Sequence, residues 1–237
     1  MFYKCDKLKN INDLKYLDTK EINNFSFMFY GCGLLNDIQG LSTWDVSKST
    51  NFKYMFKDCE SLIDIKPLNN WNTSECSNFN SMFNGCNKLE DISPLNKWDV
   101  SKSANFGFMF KDCEKLDNIK GVKFWDVSNC TNFSNMFNKC ESLSDINALN
   151  NWNVSKGTNF QSMFNECQIL SDLNPLKNWD VSKGKDFGYM FNQCYTLNNI
   201  TPLNNWPIES TANCQNMFND CSIPSDQLEY WKDYNIK

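Results

Sequence analysis

Met1, Met28, Met55, Met82, Met109, Met136, Met163, Met190 and Met217 stand 27 residues apart without an insertion or deletion, and they are all the methionines of the chain. Each is followed by Phe and, four positions after the Met, by Cys, from Cys5 and Cys32 to Cys194 and Cys221. Seven of the eight tryptophans, from Trp44 to Trp206, lie sixteen positions after a Met. So uniform a period belongs to coils stacked on one another, each burying its apolar face against its neighbours, since one central core gives no reason for equal spacing. The reading is a single solenoid domain over 1–237: an atypical first unit over 1–24, regular repeats over 25–216 and a closing segment over 217–237. Terminal units meet water on one face and are expected to depart from the pattern. Leu17 replaces the recurring Trp in the first unit, and Ser225 with Asp226, Gln227 and Leu228 reads as the start of a closing helix. With Phe2 and Cys5 in core register, the N-terminal end is expected to be less well covered than the C-terminal one.

Within one unit, Phe52, Met55, Phe56 and Cys59 fall at i, i+3, i+4 and i+7, which predicts a short α-helix with one buried stripe. The residue before that Phe is Asn24, Asn51, Asn78, Asn105, Asn132, Asn159, Asp186 or Asn213, and an Asn or Asp there is expected to cap the helix. An asparagine ladder between coils is the competing account, weakened by Asp186, whose carboxylate cannot donate. After the Cys the rhythm changes: Leu62, Ile65, Leu68 and Trp71 come every third residue, and Pro67, Pro94, Pro175 and Pro202 interrupt the pattern. A strand at Asp64 and Ile65 must then be short, and Trp-Asp-Val-Ser alternates as a second extended arm. The expected class is α/β, about nine 27-residue coils, each a short helix, a short parallel strand and an extended or turn segment.

Apolar content of 41%, with 19 Phe and 8 Trp, supplies a continuous core rather than a disordered chain. The net charge is −5, all 23 basic residues are Lys, and there is no His. Without His there is no Ser/His/Asp or Cys/His machinery and no His ligand for zinc. Without Arg there is no bidentate fork for phosphate, and the acidic balance argues against nucleic acid. No apolar run approaches the roughly 18 residues of a membrane span. No catalytic constellation can be named, so no enzyme, cofactor or metal is expected.

The nine in-register Cys read as a buried thiol column, in which free Cys packs as a small hydrophobe; bridging between coils and zinc are the lesser alternatives. Cys76 and Cys130 read as a more exposed pair, and Cys214 takes the place of a core Phe. Asp37, Asp64, Asp91, Asp145 and Asp172 form one acidic column, and Asp45, Asp99, Asp126 and Asp180 another. Turn hydrogen bonding accounts for them, with Lys48, Lys102, Lys156 and Lys183 three residues after the second set or its Asn equivalent; calcium is the sharper alternative. Asn24, Asn72, Asn129, Asn132, Asn153 and Asn199 match the N-glycosylation pattern, as chance matches in an Asn-rich repeat. Inside the repeating frame the residue before each Met varies. The aromatic ones, Phe27, Tyr54, Phe108 and Tyr189, are either half-buried packing or a candidate binding strip on a helix face.

MFKDCESLIDIKPLNNWNTS resembles the repeat of the BspA-like family of leucine-rich-repeat surface proteins, and the resemblance runs over essentially the whole chain. The Ile-x-Pro-Leu stretch here is about one residue longer than the family's. The resemblance implies a leucine-rich-repeat-like solenoid at the cell surface or outside the cell, acting as a non-catalytic protein- or glycan-binding or adhesion scaffold. Met1 already occupies the repeat's Met position and no signal peptide precedes it, which points instead to a cytosolic or virion location. The alternative function is therefore an intracellular or virion structural protein assembled by side-by-side or end-to-end self-association. Expected partners are a protein or glycan, with no membrane insertion.

Overall fold

The Asn or Asp before each core Phe decides how the chain leaves the preceding arm. In all eight coils its side-chain oxygen accepts the backbone N–H two residues on, at 2.8 to 3.1 Å, from Asn24 with Ser26 to Asn213 with Gln215. That is an Asx turn rather than a helix cap, and the α-helix expected over Phe52–Cys59 does not form. The computed structural model, which describes residues 1–236, runs this segment as linked turns. The N–H groups of Met55 and Cys59 reach the carbonyls three residues back, Phe52 and Phe56. Those of Phe52, Tyr54, Phe56 and Asp58 cross to the next coil and donate to Asn78, Asn80, Met82 and Asn84. An α-helix keeps its amides for its own i−4 carbonyls; here alternate amides bind the neighbouring coil. To aim them outward, the residue before each Met and the residue before most of the Cys adopt positive φ, 60° at Tyr54 and 59° at Asp58. The expected stripe is nonetheless buried, since Phe52, Met55, Phe56 and Cys59 are fully inaccessible.

The strand expected at Asp64 and Ile65 shrinks, in the coils that form it, to single parallel bridges such as Asp91 to Asn118 and Asn118 to Asp145. The chain then turns into a 3-10 helix in each coil, among them Lys66–Leu68, Ser93–Lys97 and Lys120–Val122. Leu68 N–H donates to Ile65 O and Trp71 N–H to Leu68 O, so the every-third-residue spacing is the 3.0-residue turn itself. At Trp44 and Trp98 the backbone becomes extended, as expected for the second arm.

Side chains repeat between coils as regularly as the backbone. Each Trp from Trp44 to Trp206 donates its Nε1–H to the carbonyl thirty residues earlier, for example Trp98 to Leu68 at 3.1 Å and Trp152 to Val122 at 3.0 Å. Phe83, Phe110 and Phe137 stack with centroids 5.8 Å apart. Asparagine ladder bonds run one residue after the Met-Phe pair, where Asn219 donates to Asn192 and Asn192 to Asn165, and one occurs at the turn column itself, where Asn213 donates to the Asp186 carboxylate at 2.9 Å. At the C-terminal end α1, Ser225–Glu229, follows Pro224 with no side-chain cap, so Ser225 does not serve as one. Gln227 Oε1 accepts Ile200 N–H in the place a further coil would take, and buried Trp231 covers Phe218 edge-on.

Candidate functional site

Four rings meet on the surface of the first three coils. Tyr3 stacks on Tyr30 at 5.1 Å, Phe27 lies 4.8 Å from Tyr54, and Tyr30 joins the two pairs at 5.9 Å from Phe27 and 6.3 Å from Tyr54. Tyr3 and Phe27 remain 53% and 41% exposed. Phe27 and Tyr54 sit in the left-handed turn position, with φ of 59° and 60°, which bulky side chains rarely adopt. Tyr3 and Tyr30 come from the column that follows each Met-Phe pair. Three ammonium groups lie over the rings: Lys4 on Tyr3, Lys53 on Tyr54 and Lys57 on Tyr30, at 4.8 to 5.9 Å. Lys57 is fixed further by Asp58 Oδ1 and Asn84 Oδ1, both at 3.1 Å. Beside the rings an open groove of about 640 Å³ is lined by Lys4, Asp6, Tyr30, Asp58 and Glu60, together with Gly31 and Gly33. Flat rings bordered by both charge signs suit a ligand with apolar faces and polar edges.

Of the sequence-predicted strip, the structure brings together Phe27 and Tyr54 only. Phe108 is half-buried and Tyr189 is 39% exposed. Their neighbours in the same column are Ser81 and Asn135, and Ser162 and Asn216, so no ring adjoins them across the coils. None of the four lies on a helix face, because no helix forms there. Tyr3 and Tyr30 were missed although the signal was present: they are the aromatic residues of a column that is otherwise Lys or Asn.

Ten of the twelve thiols are buried. From Cys59 to Cys194 each in-register Sγ donates to the carbonyl of a Phe thirty residues earlier, as Cys113 does to Phe83 at 3.3 Å. All twelve Cys are free. Cys76 and Cys130, expected to be more exposed, are fully buried: each ends a tight turn, donating N–H to the Val or Thr three residues back, in a column of small residues beneath the core Phe. Burial pushes their thiols up to about 12 and also raises those of the main column from Cys59 to Cys194, so thiolate, the nucleophilic and metal-binding form, is suppressed there.

The acidic columns are committed to turns. Asp37, Asp64, Asp91, Asp145 and Asp172 accept the N–H two residues on, and Asp45, Asp99, Asp126 and Asp180 do the same. Bonds from the Ser hydroxyl and N–H two residues on hold the Asp45, Asp126 and Asp180 carboxyls below the usual range. The recurring lysines pair across coils instead: Lys48 with Glu21 and Lys102 with Glu75, both at 2.7 Å.

A search of curated proteins finds no match. The family model described as "Mycoplasma protein of unknown function, DUF285" matches residues 1–119 and again residues 108–231, two segments that together take in nearly every repeat. The chain belongs to this DUF285 family.

Proposed function

We propose that the chain is a leucine-rich-repeat-like solenoid of the BspA type that works as a non-catalytic binding or adhesion scaffold, presenting its side surface to a protein or glycan outside the cell. The observation that carries this reading is the joined patch of Tyr3, Phe27, Tyr30 and Tyr54, an exposed aromatic cluster on a frame whose other aromatic residues are mostly stacked inside. Exposed, contiguous rings are costly to leave in water and typical of contact surfaces. Most thiols of the frame are buried and the carboxylates of its two Asp columns hold turns, which fits a non-catalytic scaffold. End-to-end assembly fits less well, since Trp231 covers the Phe218 ring that a further coil would stack on.

The test is binding of immobilised protein to a panel of extracellular-matrix proteins and glycans. Phe27→Asn with Tyr54→Asn is the informative variant, because Asn135 and Asn216 already occupy that column in the same left-handed conformation. At least one ligand should bind saturably and lose about tenfold or more in the double variant, equivalent to about 1.4 kcal/mol, with the melting temperature unchanged. Equal binding by both proteins, or none by either, would count against the scaffold reading.

A further inference from the structure

A second surface feature lies on the 3-10 side of the coils, away from the tyrosine patch. We propose that the groove beside the 3-10 helix Lys120–Val122 binds an anionic saccharide, a pyranose bearing a carboxylate, with Phe124 as its stacking platform. The residue before the Trp position is Tyr16, Thr43, Asn70, Lys97, Asn151, Asn178 and Asn205 elsewhere; only here is it Phe. Phe124 is 74% exposed although the neighbouring Trp125 is buried.

The groove beside it lies where two successive coils lack the recurring Pro. Four coils carry a Pro one residue after the start of the 3-10 turn, but this coil has Gly121 and the next has Ala148. A Cβ at Gly121 would meet Ile92 O at 1.8 Å, so no larger residue fits there. The groove, of about 380 Å³, is lined by the apolar Ile119 and Ala148 together with Phe124, Lys120 and Lys123. Asn96 lines both this groove and the adjoining one that holds Lys97.

The charge argues for an anion. Among the described residues Lys97, Lys120 and Lys123 have no carboxylate partner, in contrast to the paired Lys48 and Lys102. Lys123 Nζ lies 5.4 Å over the Phe124 ring. The one carboxylate at the groove, Asp145, has an oxygen occupied by Asn147 N–H at 2.9 Å. A sugar is favoured over an acidic peptide because the backbone here has little to offer a strand. The Lys120, Val122 and Lys123 amides are already bonded to Asn118, Ile119 and Lys120. Recognition therefore falls to a flat ring, which takes the apolar face of a pyranose, and to ammonium groups, which take its carboxylate.

Calorimetric titration of the intact chain tests this with three probes: a tetramer of galacturonate, a neutral galactose tetramer and hexaglutamate. Galacturonate should bind saturably, about tenfold or more tighter than the neutral sugar and the peptide. Phe124→Ala and Lys120→Gln with Lys123→Gln should each weaken it by a similar factor without changing the melting temperature, since these side chains are exposed. Phe27→Asn with Tyr54→Asn should leave it unchanged. Absence of saturable binding, binding that survives Phe124→Ala, equal binding of hexaglutamate, or loss in the Phe27 and Tyr54 variant would overturn the proposal.

Discussion

A buried ring that touches the coil on each side is the smallest unit on which stability rests. Phe110 stacks on Phe83 and Phe137 and is fully inaccessible, so Phe110→Ala should cost about 3 to 5 kcal/mol in denaturant unfolding. Lys111, its neighbour, makes a half-exposed pair with Asp112, and Lys111→Ala should cost less than about 1 kcal/mol. Equal losses would mean that the ring column is not the core. The turn carboxylates have their own signature. Asp45, Asp126 and Asp180 have folded pKa values below their unfolded ones, so their contribution is present above the unfolded value and disappears as pH falls through the folded one. Asn72 and Asn153 make the same turn without a titrating group. Replacing the three Asp by Asn should therefore leave the melting temperature at pH 7 nearly unchanged and reduce its fall below about pH 4. An unaltered acid profile would contradict that assignment.

The element that distinguishes this chain is the turn run from the core Phe to the Cys. Its left-handed positions sort residues by conformation: Gly31 and Gly85 occupy one such column, while Lys139 and Glu166 hold the same φ with a side chain. A Cβ on Gly85 would also lie 2.6 Å from Asp58 Oδ1. Gly85→Ala should thus destabilise by about 1 to 2 kcal/mol, whereas Lys139→Gly should change stability by less than about 1 kcal/mol in either direction, by urea melts. This element also marks where sequence reasoning stopped. The buried stripe of Phe52, Met55, Phe56 and Cys59 was legible because burial depends only on which residues recur. The helix was not, because the i, i+3, i+4, i+7 pattern describes a run of turns as well as an α-helix, and the amides' partners lie a whole coil away. The Leu62, Ile65, Leu68, Trp71 spacing carried the 3-10 turn in plain view. At the candidate site, two of four predicted rings came together; adjacency across coils needed a second aromatic column, that of Tyr3 and Tyr30, to be read beside the first.

At the scale of the molecule, each coil is bonded to both neighbours: the amides of its turn run donate to the next coil, while its Trp Nε1 and in-register Cys Sγ donate to carbonyls of the coil before. Stability then resides in interfaces between neighbours rather than in one centre. Coils are interchangeable only if the register of 27 is kept, because a slip of one residue would carry every core side chain out of its column. The most direct measurement is the near-UV circular dichroism and thermal melting of two deletions, one removing residues 105–131 and one removing 105–130. The first joins Ala104 to Asn132, restoring an Asn before a core Phe, and should keep a native-like aromatic spectrum with one cooperative transition. The second should lose both. Two deletions that fold equally well, or a 27-residue deletion that does not fold, would contradict the coil-on-coil account.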